Sequence, residues 1–148
     1  MKDWQIEMAD IIHDVACNLL RRHGTDNRGI LVLADLFGGV GYSVYVGRQQ
    51  FIEYISVDKQ ENINVMLLND LRFVPPPDKV PLGIEIFIKD GGASSKIVYP
   101  QDVPEDELPY DDRESFVISC FGDLPIRYPP MPSDAQKLPR TGWRTKMR

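Results

Sequence analysis

The scarce reactive side chains of this sequence are two histidines, His13 and His23, and two cysteines, Cys17 and Cys120. Nucleophilic catalysis needs a base beside a nucleophile, and both histidines fall in the N-terminal segment. His13 and Cys17 are four residues apart and so neighbour each other on a helix. No oxyanion-hole loop or third orienting group accompanies them, and a local surface contact is the role this spacing predicts. The cysteines are far apart, without partners at metal-ligand spacing, which predicts small packing residues rather than a disulfide framework or a zinc site. Gly38-Gly39-Val40-Gly41 lacks the dinucleotide fingerprint and a following Lys-Ser or Lys-Thr, so it is expected to turn a hairpin rather than hold a phosphate. Among the carboxylates, Asp58-Lys59-Gln60-Glu61-Asn62 lacks the glycine and distal glutamate of a calcium loop, and Glu85 has no Lys two residues on. The expectation is no catalytic residue, no metal and no cofactor. A competing enzyme reading assembles a small-molecule site from Asp35, Tyr42, Tyr45, Glu53 and Tyr54 on a sheet, which only three-dimensional geometry can decide.

Two features rise above this background. Asp102, Glu105, Asp106, Glu107, Asp111, Asp112 and Glu114, offset only by Arg113, give residues 102–114 a charge of −6 around Leu108, Pro109 and Tyr110. An acidic loop carrying an aromatic can bind a cationic surface, since charge speeds encounter and the ring supplies buried area. The partner-binding set is therefore Asp102, Glu105, Asp106, Glu107, Tyr110, Asp111, Asp112 and Glu114, and the competing reading is a solvated loop. Second, the N-terminal helix carries an extra stripe of Ile6, His13, Cys17 and Leu20 beside its core face, then an acidic edge of Asp3, Glu7, Asp10 and Asp14. That stripe fits either a docking face or burial within the same fold.

Trp4, Met8, Ile11, Ile12, Val15 and Leu19 recur at about 3.6 residues per turn and predict an amphipathic helix over 3–23, closed by Arg21, Arg22, His23 and Gly24. From Gly29 the period changes. Ile30–Phe37 and Val40–Val46 read as two strands around Gly38-Gly39, the second with one covered and one more open face, and Phe51–Val57 as a third. Residues 58–74 fit a helix capped by Asp58, with a strand over 62–68 as the alternative, before Pro75-Pro76-Pro77 forms a stiff connector. Ile84–Lys89, the turn Asp90-Gly91-Gly92 and Lys96–Tyr99 read as a second hairpin, and Phe116–Phe121 as one more short strand. The expected fold is α+β: an antiparallel sheet of about five to six strands in hairpins, an N-terminal amphipathic helix packed on it and a second helix.

The totals agree with one folded domain. The 148 residues are 43% hydrophobic and 26% charged, as globular chains are. A net charge of −5 argues against nucleic-acid binding through a basic surface and favours basic partners. Residues 133–148 are +4, leaving −9 on the first 132. The expected division is an α+β domain over 1–128 and a Pro-rich basic C-terminal arm over 129–148, extended or disordered. The start lacks the pattern of an export signal, no apolar stretch reaches membrane-spanning length, and the cytoplasm is the expected compartment.

The N-terminal helix over Ile6–Leu20, the hairpin Ile30–Val46, and Ile84–Gly91 followed by Lys96–Tyr99 together resemble small cytosolic immunity proteins of bacterial polymorphic toxin systems. The likeness covers about two-thirds of the chain; the triple proline and the basic tail have no counterpart in it. It implies a non-enzymatic protein that binds and neutralises one toxin domain, with acidic patches meeting a basic nuclease, and it carries over no catalytic residue. The leading expectation is thus a binding module of the immunity type, with a basic protein partner, no direct nucleic acid and no membrane. The alternatives are the carboxylate and tyrosine enzyme and a structural adaptor docking through its arm, and a homo-oligomer stays open.

Overall fold

The computed structural model describes residues 2–130. The chain runs through α1 (Asp3–His23), β1 (Ile30–Asp35), β2 (Gly41–Gly47), β3 (Ile52–Ile55), α2 (Lys59–Asp70), β4 (Gly83–Lys89), β5 (Gly92–Val98), α3 (Arg113–Phe121) and β6 (Ile126–Arg127). The strands form one six-stranded sheet in the order β5-β4-β1-β2-β3-β6. All neighbours pair antiparallel except β3 and β6, which are parallel. The α+β class, the sheet built of hairpins and the N-terminal helix are as the residue pattern predicts, and within 58–74 the helix rather than the strand is found, over Lys59–Asp70. The basic arm expected over 129–148 lies, from residue 131 onward, outside the described residues. Among the described residues no helix is long and apolar enough to cross a membrane.

Successive side chains on a strand point to opposite faces, and the register of β1 shows how the two faces are used. Ile30, Val32 and Ala34 stand beside Val46, Val44 and Tyr42 of β2 and Ile88, Ile86 and Ile84 of β4. This face is covered by Met8, Val15 and Leu19 of α1 and by Leu68 and Leu71, all buried. Each such side chain contributes roughly 1.5–3 kcal/mol relative to exposure. The helix ends where its last turn of Arg21, Arg22 and His23 meets Gly24, whose φ of 73° lets its N–H reach back to the Leu20 carbonyl at 2.8 Å. Of the extra α1 stripe, Leu20 packs against this core while Ile6 is 45% exposed.

The second face corrects two expectations. Residues Phe116–Phe121 do not form a strand; they are most of α3. The run of Phe, Val and Ile favours a strand locally, but Asp112 caps a helix, its carboxylate accepting from the Ser115 N–H at 3.2 Å. Val117 and Phe121, at the i, i+4 spacing of a helix face, are buried with Leu31, Leu33, Tyr45 and Ile52. In consequence β2 is covered on both sides rather than open on one. Ser43, Tyr45 and Gly47, which alternate with the apolar Tyr42, Val44 and Val46, are all buried. Phe121 packs so closely on Gly47 that a Cβ there would lie 2.7 Å from the ring.

The segment between β5 and β6 therefore crosses beneath the sheet from one edge to the other. It ends in β6, a two-residue strand with no counterpart in the sequence reading, where Ile126 and Arg127 pair with Ile52 and Glu53. The Arg127 guanidinium lies 4.0 Å from the centroid of the Phe51 ring.

Candidate functional site

Residues 99–114 leave the sheet edge and fold into a shaped loop. The Tyr99 N–H donates to the Asp102 carboxylate at 2.9 Å, fixing a 3₁₀ turn over Pro100–Asp102. A second turn follows, with the Glu107 N–H on the Pro104 carbonyl at 3.2 Å and Asp106 at a φ of 66°. The far end is anchored by Arg113. Its guanidinium donates to Asp35 Oδ2 (2.7 Å), Ser43 Oγ (2.6 Å), the Leu33 carbonyl (3.0 Å) and the Gly41 carbonyl (3.2 Å). The one cation in the acidic run is thus spent inside the fold, on β1 and β2, and the loop's carboxylates face solvent without it.

The eight expected partner-binding residues divide accordingly. Glu105, Asp106 and Glu107 line a cleft of about 520 Å³ with Phe37, Leu82, Val103 and Leu108. Asp111 is exposed beside it in sequence. Asp102 and Asp112 accept bonds that shape the loop and cap α3, and the Ser115 hydroxyl and N–H hold the Asp112 carboxyl below its ordinary value. Glu114 accepts from the Tyr128 hydroxyl at 2.9 Å. Burial first, and that bond second, push the Tyr128 hydroxyl up to about 12.

Tyr110 is not a surface ring: it is 1% exposed, edge-on to Phe116 with centroids 5.1 Å apart. Burial raises its hydroxyl far above the ordinary range. The aromatic presented to solvent among these carboxylates is instead Phe37, 74% exposed at the tip of the β1–β2 hairpin. It was not singled out from the sequence, where it reads as the last residue of a strand. The signal available was its place directly before Gly38-Gly39, which puts a large apolar side chain at a turn.

The tyrosine and carboxylate set does not converge. Tyr42 faces α1 and α2, whereas Asp35 points to the opposite face and bonds Arg113. Tyr45 and Tyr54 stack edge-on at 5.4 Å, and Glu53 is held by Arg48 at 2.8 Å. Tyr42 belongs instead to a buried polar cluster that the sequence reading missed. Its hydroxyl donates to Glu61 Oε1 at 2.7 Å, and Arg22 bridges Glu61 and Asp58. Asn64 bonds both Tyr42 and Asn18. His23 Nε2 is buried 3.5 Å from Glu61 Oε2, at the outer limit of a hydrogen bond, with no better partner among the described residues. Burial pushes the Glu61 carboxyl up, but the donors His23, Tyr42 and Arg22 outweigh it and hold the carboxyl below its ordinary value. This cluster joins α1 to α2 and β2, and Glu61, 1% exposed, sits at the floor of a small cavity of about 190 Å³ lined also by Asn18, Arg22 and Asn64.

His13 Nε2 and Cys17 Sγ meet at 3.4 Å on the exposed side of α1, the neighbour contact expected of their spacing. Among the described residues no three of His, Cys, Asp and Glu are grouped to hold a metal ion. A second acidic groove lies where Glu7, Asp10 and Asp14 of α1 meet Asp70, Phe73 and Val74. What these arrangements offer chemically is charge and apolar area on the surface, with the buried Ser43, Glu61 and Asn64 engaged in holding elements together. No protein-family model matches the chain, and no curated protein matches its sequence at a significant level.

Proposed function

We propose that this chain is a non-enzymatic protein-binding module that captures a basic partner through the acidic cleft around Phe37, in the manner of an immunity protein neutralising a toxin domain. The observation that carries this reading is the exposed Phe37 ring set among Glu105, Asp106 and Glu107. An aromatic anchor ringed by like charges is the arrangement in which long-range attraction speeds association and ring burial slows dissociation. A cytoplasmic address and a toxin as the partner belong to the same proposal; the −9 charge of residues 1–132 supports the basic character of that partner.

Affinity capture from the source cell with the wild-type chain, Phe37→Ala and the triple variant Glu105→Lys/Asp106→Lys/Glu107→Lys tests it. A basic protein should be retained by the wild type and weakened by both variants. The triple variant acts mainly on the association rate, and its effect shrinks as salt shortens the screening length to about 8–10 Å and below. A partner held equally by all three chains would place the interface elsewhere.

A further inference from the structure

We infer that the recognised part of the cationic partner is an extended segment that adds as a seventh strand to the open edge at β5. The inference rests on the proposed binding function and specifies the shape of what is bound. β5 is the outermost strand on its side. Its pairing with β4 starts at Lys89↔Gly92 across a two-residue turn, with Asp90 and Gly91 both at positive φ. In such a hairpin the flanking pair is hydrogen-bonded and bonded pairs then alternate. Residues 92, 94, 96 and 98 therefore bond inward to β4, and the amides and carbonyls of Ala93, Ser95 and Ile97 point away from the sheet. None of those groups has a backbone partner outside the sheet among the described residues.

The edge is only lightly blunted. It holds no proline, and its register with β4 runs unbroken from Gly92 to Val98. Its one charge, Lys96, stands beside Glu85 on the face away from α1.

On the α1 face the edge borders a groove of about 420 Å³, within the size range of built ligand sites. Its floor is Ile86, Ser95 and Ile97, its wall Trp4, Met8 and Ile12. An added strand would bond to Ala93, Ser95 and Ile97 and drop every second side chain into this groove, the mode in which main-chain bonds supply affinity and alternate pockets supply selectivity. Charge decides the occupant. Tyr99 lines the groove and Pro100, the next residue, lines the acidic cleft of Glu105, Asp106 and Glu107. A segment on β5 thus runs toward three carboxylates, which attract lysine and arginine, whereas a second copy would bring its own excess of negative charge to the same place.

The test uses a random peptide library displayed on phage and selected against the full chain, followed by synthesis of the enriched peptides. The expected peptides alternate apolar residues at every second position, carry Lys or Arg, and bind Ser95→Pro at least about tenfold more weakly. That proline removes an outward amide and leaves the β4 ladder untouched. N-methylation of the peptide gives a second reading that leaves the protein unaltered: one alternate set of methylated amides should abolish binding and the other should leave it intact. Equal binding to Ser95→Pro together with indifference to both methylation sets, or the enrichment of no peptide, overturns strand addition. Enriched peptides without positive charge, indifferent to Glu105→Lys/Asp106→Lys/Glu107→Lys yet sensitive to Ser95→Pro, would instead sink the cationic-partner reading while strand addition stands.

Discussion

Replacing Arg113 by methionine should cost far more than its place in the first turn of a short helix suggests. The substitution keeps most of the apolar stem and removes the guanidinium, so it isolates the four bonds to Asp35, Ser43 and the carbonyls of Leu33 and Gly41. The Arg113 side chain is 21% exposed and that of Asp35 15%, so water compensates only in part for the lost partner. Among the described residues Asp35 Oδ1 already lies buried without a hydrogen bond, and without Arg113 its carboxylate has no counter-charge in contact. Removing one partner of such a pair typically costs about 3–5 kcal/mol, chiefly because a charge is stranded. With a urea slope of about 2 kcal/mol/M, that is a fall in midpoint of roughly 1.5–2.5 M. The double variant Asp35→Ala/Arg113→Met should lose less than the two single losses added, because it strands no charge. A loss under about 1 kcal/mol for Arg113→Met, or strict additivity in the double variant, would refute the reasoning.

Glu61→Gln should destabilise near neutral pH, and the gap to the wild type should close in acid. Because the folded carboxyl titrates below its ordinary 4.5, the ionised form contributes stability that is present above that value and lost as pH falls through the folded one. Urea melts from pH 7 down to about 3 measure the difference, and a gap independent of pH would count against the cluster. Tyr110→Phe should be neutral or slightly stabilising, since the hydroxyl it deletes is buried without a partner among the described residues; a loss above about 1 kcal/mol would mean the hydroxyl is bonded in solution. Val15→Ala should cost about 1–3 kcal/mol, against about 0.5 or less for Ile6→Ala, because Val15 is fully buried and Ile6 is not. Equal losses in thermal melts would show the Ile6 stripe to be covered.

The elements that announce themselves in the sequence are those whose evidence is local. α1 is legible from one stripe and its closing glycine, and the hairpins from turns whose residues tolerate positive φ. α3 is not, because its β-branched and aromatic run argues locally for a strand, while the helix depends on an Asp112 cap and on a sheet face formed by residues far upstream. The acidic loop is legible as charge, but the fate of its aromatic is not. Tyr110 is buried against Gly83, where a Cβ would come within 2.9 Å of its ring, a contact between segments distant in sequence. The Glu61 cluster left only a faint trace, two polar residues, Glu61 and Asn64, on the same side of α2 as buried Leu68. Its partners Arg22 and Tyr42 come from α1 and β2, which no spacing rule connects to α2.

The strap from β5 to β6 has a thermodynamic consequence. It carries the acidic loop, Arg113 and α3, and it supplies Tyr110, Val117 and Phe121 to the second core. The hairpins and the α1 face are complete without it, so the least costly opening of the molecule peels the strap away and bares one face of the sheet. The cleft exists only while the strap is closed, since Phe37 and Leu82 lie on the sheet side and Val103 to Leu108 on the strap. A partner gripping both sides therefore binds the closed form alone. Its binding energy becomes protection of a core it never touches, and a bound molecule should resist unfolding and proteolysis in proportion to partner concentration.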